Sequence, residues 1–126
     1  MMTVETELKP SPISGIGTFA VSLIPKGTPV WKLDERFYVL VNEAEIPTFP
    51  PIIQNLIRKY GYPHLIRDGV ICCDIDNGRF MNHSDAANTD FRDPRQGLAL
   101  RDIEPGEEIT CNYNDFMPGF RGFEAA

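Results

Sequence analysis

Two stretches decide the fold of this chain: RFMNHS, from Arg79 to Ser84, and GEEITCNY, from Gly106 to Tyr113. The first places one of only two histidines between an asparagine and a serine, directly after two apolar residues. A buried strand would not normally carry three hydrogen-bonding side chains in a row. The second stretch begins at a Pro-Gly turn and alternates apolar with polar residues until it ends on a tyrosine. Polar residues crowded at strand ends indicate a functional site.

A glycine pair lies upstream of both stretches, in SGIG from Ser14 to Gly17. In this order and spacing, the three stretches resemble the motifs of SET-domain protein lysine methyltransferases. That family carries Gly-x-Gly near the start, Arg-Phe-x-Asn-His-Ser in the middle and Glu-x-Thr-x-x-Tyr near the end. The resemblance runs from Leu8 to about Phe116, and Asn88 stands where the family often has an asparagine. It implies a mainly β fold, β-clip-like, with short sheets, one insert helix and a knot-like threading of the carboxyl-terminal segment that would bring Tyr113 beside His83.

The length of 126 residues allows one domain with its own core. A hydrophobic content of 42% with 24% charged residues is typical of a folded, soluble protein. We expect a single SET domain over residues 1–126, with a core of about 8–116, a variable insert at 34–68 and a short tail at 117–126. The apolar runs are too short to span a membrane and no signal pattern begins the chain, so we expect an intracellular, soluble protein without a membrane partner. Whether it is cytoplasmic or nuclear stays open.

The three cysteines, Cys72, Cys73 and Cys111, cannot all pair, and we expect reduced, buried thiols. Many SET relatives end in a cysteine-rich segment that binds zinc, whereas residues 114–123 contain no cysteine. With no Cys/His cluster at zinc spacing elsewhere, we predict no metal site. The net charge of −6 argues against direct binding of nucleic acid, which needs a basic face.

Local patterns predict a series of short strands and one helix. Residues Met1 to Pro10 lack periodicity and should fray, and a turn at Pro25 to Gly27 should join two strands into a first hairpin. Apolar residues at helical spacing from Ile52 to Tyr60 predict a helix over 51–60 that ends at Gly61. The predicted strands cover 18–21, 28–33, 37–41, 70–74 and 98–101. Pro29 would place the strand at 28–33 at a sheet edge or make it the start of a strand. Residues 91–97 should form an exposed link between strands.

By resemblance, the ligand of the glycine pair is S-adenosylmethionine, with its methionine end against Ser14 to Gly17. Glycine allows a backbone to approach a ligand closely, although the pair could serve only a tight turn. The Asn-His pair would hold the cofactor's amino group and adenine, with Arg79 and Ser84 bracing the loop. A buried, structural histidine is the alternative for His83. The predicted cofactor-binding residues are Ser14, Gly15, Ile16, Gly17, Asn82, His83 and Tyr113.

Tyr113 matches the family's catalytic tyrosine, although a core tyrosine bonded to backbone would also fit. Methyl transfer is an in-line displacement, so the hydroxyl would orient the reactants and contact the electron-poor methyl group rather than act as a base. We predict a lysine channel lined by Cys111, Tyr113 and Phe116, with Tyr38 or Phe80 as further candidates. Many relatives have an aromatic residue at the position of Cys111, and the size of the side chain at that position controls how many methyl groups fit. Whether the cysteine permits di- or trimethylation stays open.

The predicted function is S-adenosylmethionine-dependent methylation of lysine side chains in a protein or peptide, with a histone or histone-like protein as a possible substrate. Two alternatives remain: a SET-fold module that binds peptide or cofactor without turnover, and a small β-rich interaction protein without a cofactor. Glu43 and Glu45 could face a basic peptide or simply be solvated. The tail phenylalanines Phe116, Phe120 and Phe123 could close the channel or pack in a homodimer.

Overall fold

The computed structural model describes residues 1–117, which form ten short strands in four small sheets together with one α-helix. The strands are β1 (Thr6–Pro10), β2 (Ile16–Ala20), β3 (Pro29–Lys32), β4 (Tyr38–Asn42), β5 (Gly61–Pro63), β6 (Val70–Asp74), β7 (Asn82–His83), β8 (Thr89–Asp90), β9 (Gln96–Ala99) and β10 (Thr110–Cys111). The helix α1 spans Pro51–Tyr60, and 3₁₀ turns cover Glu35–Phe37, Glu43–Thr48, Asn77–Phe80 and Tyr113–Asp115. The prediction of a mainly β fold is confirmed.

The sheets pair strands that are distant in sequence. Strands β1 and β2 form one antiparallel pair, β3-β9-β8 and β4-β6-β5 form two three-stranded antiparallel sheets, and β7 pairs with β10 in parallel. Strand β3 begins at Pro29 and lies at an edge, where the missing amide hydrogen of proline costs no ladder bond, as predicted.

The helix α1 has the predicted bounds of Pro51–Tyr60. Its inward face centres on Ile57, which is buried, whereas Ile52 points away and is 74% exposed, contrary to its place in the predicted apolar stripe. Gly61 ends the helix in an extended conformation rather than a left-handed one. A side chain at Gly61 would collide with the Ile57 carbonyl oxygen and with Ile71, so close packing requires this glycine.

Two predictions about the amino-terminal third are wrong. Residues Met1 to Pro10 do not fray, because β1 pairs with β2 over its whole length and Met2 bridges to Trp31. The predicted hairpin turn exists, since Gly27 has φ +85° and the Thr28 amide donates to the Pro25 carbonyl at 3.1 Å. The strands on either side of it do not pair with each other, however. Turn chemistry shows where a chain reverses, but the partner of each strand depends on what covers its faces.

The predicted exposed link at 91–97 is wrong at both ends, because Phe91 is buried and residues 96 and 97 belong to β9. Phe91 is only 4% exposed, and its ring lies 5.4 Å from the ring of Trp31, measured between centroids. Gly97 permits this burial, since a side chain there would overlap the Phe91 ring. The core that Phe91 joins contains Ala20, Ile24, Val30, Trp31, Met81, Ala99, Ile103, Ile109 and Cys111.

All three cysteines are buried free thiols, as expected. Within residues 1–117, no helix has both the length and the apolar character needed to cross a membrane. The core reaches the short parallel pair β7-β10 through Met81, Ile109 and Cys111, so the two polar motifs are carried on the edge of a tightly packed interior.

Candidate functional site

The two motifs that opened the sequence meet in the parallel pairing of β7 and β10. Asn82 lies opposite Thr110 and His83 opposite Cys111, and the amide of Ser84 donates to the Cys111 carbonyl at 3.0 Å. This main-chain pairing fixes the register of the two segments, that is, which residue of one lies opposite which residue of the other. The motifs therefore form one site, although 28 residues separate the paired positions along the chain.

Asn88 clamps the second motif from the side. Its side-chain oxygen accepts from the Thr110 amide at 2.9 Å, and its side-chain nitrogen donates to the Glu108 carbonyl at 2.8 Å. The Asn88 amide in turn donates to the Thr110 hydroxyl at 3.2 Å. Because Asn88 is only 3% exposed, these bonds replace those that water would otherwise make. The clamp holds residues 108–110 in place beside β7.

Tyr113 lies beside His83, with ring centroids 5.2 Å apart. Its amide donates to His83 Nδ1 at 3.0 Å, and its hydroxyl donates to the Met81 carbonyl oxygen at 2.6 Å. Burial raises the pKa of the Tyr113 hydroxyl, so the phenol stays protonated at neutral pH. A tyrosine held at both ends in this way has a fixed ring position, which a group that orients reactants requires.

The ring of His83 is oriented by partners on both sides. Because Nδ1 accepts from a main-chain amide, the ring proton belongs on Nε2, which lies 2.8 Å from Asp85 Oδ1. The His83 ring thus positions Tyr113 from β7. Its predicted contact with a cofactor stays a prediction.

The glycine loop, defined as Ser14 to Gly17, is bonded directly to the Asn-His motif. Asn82 Nδ2 lies 3.1 Å from the Ser14 carbonyl oxygen and 3.4 Å from that of Ile16. Gly15 has φ +46°, a left-handed conformation that a side chain would strain. Gly17 lies against the carboxylate of Glu108, and any side chain at this position would overlap it. A side chain at the second glycine would thus force the Glu108 carboxylate to move.

These residues fit the amino-acid end of S-adenosylmethionine. The carbonyl groups of Ser14 and Ile16 and the Glu108 carboxylate accept from Asn82 Nδ2, and together with the Asn82 side-chain oxygen they form an acceptor-rich surface that suits a ligand with an ammonium group and a positive sulfur. Half-exposed Ile13 supplies apolar surface beside them. Five of the seven predicted cofactor residues, namely Ser14, Gly15, Ile16, Gly17 and Asn82, are connected in this one network.

A cavity of about 380 Å³ is lined by Tyr113 but not by the glycine loop, Asn82 or His83. All three predicted channel residues, Cys111, Tyr113 and Phe116, line it, and so does Tyr38. Phe80 does not, because its ring packs on Tyr60 at 5.4 Å between centroids. The aromatic residues of the wall are Trp31, Tyr38, Tyr60, Tyr62, Phe91, Tyr113 and Phe116.

A buried carboxyl group forms part of this wall. Asp74, which is 5% exposed, accepts from the Tyr62 hydroxyl at 2.6 Å and from Trp31 Nε1 at 3.0 Å. Burial raises the pKa of Asp74, while the two hydrogen bonds oppose that rise. Burial and the neighbouring Asp74 raise the pKa of Tyr62. Two polar groups are thus satisfied inside a cavity whose wall also includes the charged residues Lys59, Arg79 and Arg92.

The remaining predicted site residues brace their surroundings. The guanidinium of Arg79 lies over the Tyr60 ring at 4.8 Å from its centroid and also lines the cavity. The Ser84 hydroxyl oxygen accepts from the Ala86 amide at 3.1 Å. Phe116 packs against Tyr62 and Phe91, while Phe120 and Phe123 lie outside the described residues. Among residues 1–117, no cluster of three or more His, Cys, Asp or Glu side chains is arranged to hold a metal ion.

A family model of the SET domain matches residues 15–114. The chain belongs to the SET-domain family. Similar solved structures include a candidate histone methyltransferase of Plasmodium falciparum, with 20% identity and a TM-score of 0.61 over 89% of this chain and 95% of that one. They also include a humanised mutant of Chaetomium thermophilum polycomb repressive complex 2 bound to an inhibitor, with 24% identity, a TM-score of 0.62 and 92% of this chain covered. This SET domain spans 16% of the polycomb chain's length.

Sequence reasoning missed several residues of this SET domain's site. Tyr60 and Tyr62 were not assigned to the cavity, although their place at the junction of α1 and β5 put two aromatic residues beside a predicted helix end. Phe91 and Trp31 gave no local signal, because their burial depends on strand pairing. Glu108 was read only as part of a motif, yet its carboxylate contacts both Asn82 and Ser11.

Proposed function

We propose that this SET domain is a protein lysine methyltransferase that uses S-adenosylmethionine as its methyl donor. One observation carries the proposal: Tyr113 lines an aromatic-walled cavity and is hydrogen-bonded to His83, whose neighbour Asn82 is bonded to the acceptor-rich loop. On the loop side, Asn82 donates to the Ser14 carbonyl, and on the cavity side Tyr113 is joined by Cys111 and Phe116. Two reactants bound on these two sides would meet at the tyrosine.

The loop side would hold the cofactor by its positive groups. Ser14 and Ile16 offer carbonyl oxygens, and Asn82 links them to β7. The bound cofactor would supply a methyl group on a positively charged sulfur. The protein's part is to fix the position of that sulfur relative to Tyr113, which the pairing of β7 with β10 allows.

The tyrosine would act as an orienting group. Its hydroxyl donates to the Met81 carbonyl, and an oxygen held in this way would make weak polar contact with an electron-poor methyl group. The raised pKa of Tyr113 keeps the hydroxyl neutral, which argues against a role as a general base.

The cavity would favour the neutral form of the lysine amine. Lysine has a reference pKa of about 10.4, and neutralising it at pH 7 costs roughly 4 to 5 kcal/mol. A wall of aromatic side chains removes water and lowers that pKa, and a nearby positive sulfur lowers it further. Residues 34–68 supply Tyr38, Tyr60 and Tyr62 to the wall, so this insert would shape substrate choice.

A histone or histone-like protein is the first substrate to test. Its support is the similarity of the fold to that of a candidate histone methyltransferase, together with the net charge of −6, which favours a basic partner. A homodimer remains a proposal that rests on Phe120 and Phe123, because Phe116 packs within the chain.

Calorimetric titration with S-adenosylhomocysteine tests the cofactor site. Saturable binding by the wild type that His83→Ala weakens, followed by transfer of labelled methyl groups to a lysine-rich histone peptide, would support the enzyme. Binding without transfer to any peptide, or to a lysine-rich protein mixture, would support the non-catalytic module instead. A folded wild type that binds no cofactor product with or without peptide would rule out the enzyme and a cofactor-binding module, and would leave only a module that binds peptide.

A further inference from the structure

The Glu108 carboxylate contacts the side-chain amide of Asn82 and is held there from two sides. Its Oε2 accepts from Asn82 Nδ2 at 2.9 Å. The Ser11 hydroxyl approaches both carboxylate oxygens, at 2.7 and 2.9 Å. The backbone of Glu108 bridges to Phe19 of β2, and Asn88 bonds its carbonyl oxygen. The carboxylate therefore has little freedom to move.

Its neighbour Glu107 shows a different pattern. Glu107 forms an ion pair with Arg101 at 2.5 Å, with both side chains partly exposed. Within residues 1–117, Glu108 has no such ion pair; its acceptors are used by the neutral donors of Ser11 and Asn82. A half-buried carboxylate directed at a side-chain amide forms a charge-assisted bond, about twice as strong as a neutral one.

The consequence for Asn82 is a fixed amide orientation. Three oxygens, from Ser14, Ile16 and Glu108, surround Nδ2, and none of them can donate a hydrogen bond. A flipped amide would place Oδ1 against these same three oxygens. Asn82 must therefore present Oδ1, its acceptor, on the opposite side of the amide.

We propose that Glu108 is a positioning residue for the cofactor's α-ammonium group: held by Ser11, it orients the Asn82 amide so that Oδ1 faces that cation. This inference rests on the proposed function, since it names the cofactor group that Asn82 receives. It also explains the second glycine of the loop. A side chain at Gly17 would displace the Glu108 carboxylate from its place against the backbone.

A glutamate suits this task better than a glutamine. A carboxylate can only accept, so it allows one orientation of Asn82, whereas a glutamine amide can turn its own NH₂ toward Asn82 and permit the flip. Glu108→Gln should therefore give an intermediate phenotype, and Glu108→Ala a full one. Glu104→Ala is the matched control, because Glu104 is an exposed glutamate of the preceding turn.

The test compares two ligands by calorimetry: S-adenosylhomocysteine and its desamino analogue, in which hydrogen replaces the α-amino group. Glu108→Ala should weaken the first about tenfold, the loss expected for a hydrogen bond to a charged group, and the second less than about twofold. Glu104→Ala should change neither. The double variant Asn82→Ala/Glu108→Ala should bind S-adenosylhomocysteine like Asn82→Ala alone, because Glu108 acts through Asn82.

Equal losses for the two ligands, or additive losses in the double variant, would overturn the inference while leaving the proposed function intact. The ligand-free protein gives a second readout. In the wild type, the Asn82 side-chain NH₂ should give two well-resolved NMR resonances with slow solvent exchange, and Glu108→Ala should accelerate that exchange. Unchanged exchange in a folded variant would refute the orienting bond. Failure of the wild type to bind either ligand would instead refute the proposed function and the ligand assigned to Asn82.

Discussion

The two sides of Tyr113 differ in how they handle charge. On the loop side, carbonyl oxygens and the Glu108 carboxylate gather around Asn82, and this surface favours a cation. On the cavity side, the wall combines aromatic rings with the basic side chains of Lys59, Arg79 and Arg92, and Asp74 is already bonded to Tyr62 and Trp31. The loop side offers acceptors to a cation, whereas the cavity side surrounds its contents with aromatic rings and basic groups. A methyl transfer from a charged sulfur to a neutral amine needs this difference, and each prediction below tests one part of it.

Tyr113→Phe should produce the largest effect, because it removes the group at the boundary. We expect methyl transfer to fall by about 100-fold or more, the loss typical of a misplaced reactant. Binding of S-adenosylhomocysteine should change less than about twofold, since the loop side is untouched. Single-turnover assays and calorimetry on the same sample measure the two quantities. A variant that transfers methyl groups at the wild-type rate would show that the two sides do not meet at this hydroxyl.

The structural cost of the same substitution should be small. The Met81 carbonyl loses one donor, which corresponds to about 1 kcal/mol in the free energy of unfolding. Urea denaturation measures it and separates loss of turnover from loss of fold.

Asn88→Ala tests the clamp that keeps the loop side assembled. It leaves the buried Thr110 amide and Glu108 carbonyl without their Asn88 partners, so we expect a loss of about 2 to 3 kcal/mol in the free energy of unfolding. Because residue 108 would be less constrained, affinity for S-adenosylhomocysteine should also fall. Asn112→Ala, which loses a local bond to the Asn114 amide, is the control and should cost less. Equal costs for the two variants would argue against the clamp.

Asp74→Asn tests the cavity side through pH. Burial raises the pKa of Asp74 in the folded state above its unfolded value of 3.8, so ionising the carboxyl costs folding free energy. The free energy of unfolding of the wild type should therefore fall as pH rises from about 4 through the folded pKa of Asp74. The variant has no carboxyl group at this position and should not show this fall. The stability of the variant relative to the wild type should therefore increase between pH 3.5 and pH 7, as measured by urea denaturation. Asp68→Asn, at an exposed carboxyl, is the control; a difference independent of pH would contradict the burial argument.

The smallest effect should come from a surface outside both sides. Glu43 and Glu45 lie on the 3₁₀ turn Glu43–Thr48 and are exposed. Their replacement by glutamine should change the affinity for a lysine-rich histone peptide less than about twofold at physiological salt, because exposed charges are screened. Fluorescence anisotropy checks this. A loss above about fivefold would place a basic segment of the peptide against this turn.

Local sequence patterns predicted the bounds of individual helices and strands well. The helix over 51–60 and the strand over 70–74 were correct to the residue, because the helix has apolar residues at helical spacing and the strand lies between two turn signals. Partners across the chain were less accessible. The true pairings of β2 and β3, and the burial of Phe91, follow from which faces are covered, and no local pattern carries that information.

The same distinction between local patterns and contacts across the chain applies to the candidate site. Through its resemblance to known motifs, the sequence by itself indicated the family and predicted Ser14 to Gly17, Asn82, His83 and Tyr113 as site residues. Its polar residues, which are costly to bury without a partner, also led to the expectation of a site at the two distant motifs. Only the tertiary structure decided that Gly17 accommodates Glu108, that Asn82 has one amide orientation, and that Tyr60, Tyr62 and Phe91 build the cavity wall. Those features are contacts between segments far apart in the chain. Hydrogen-bond geometry and close packing arise only when the segments meet.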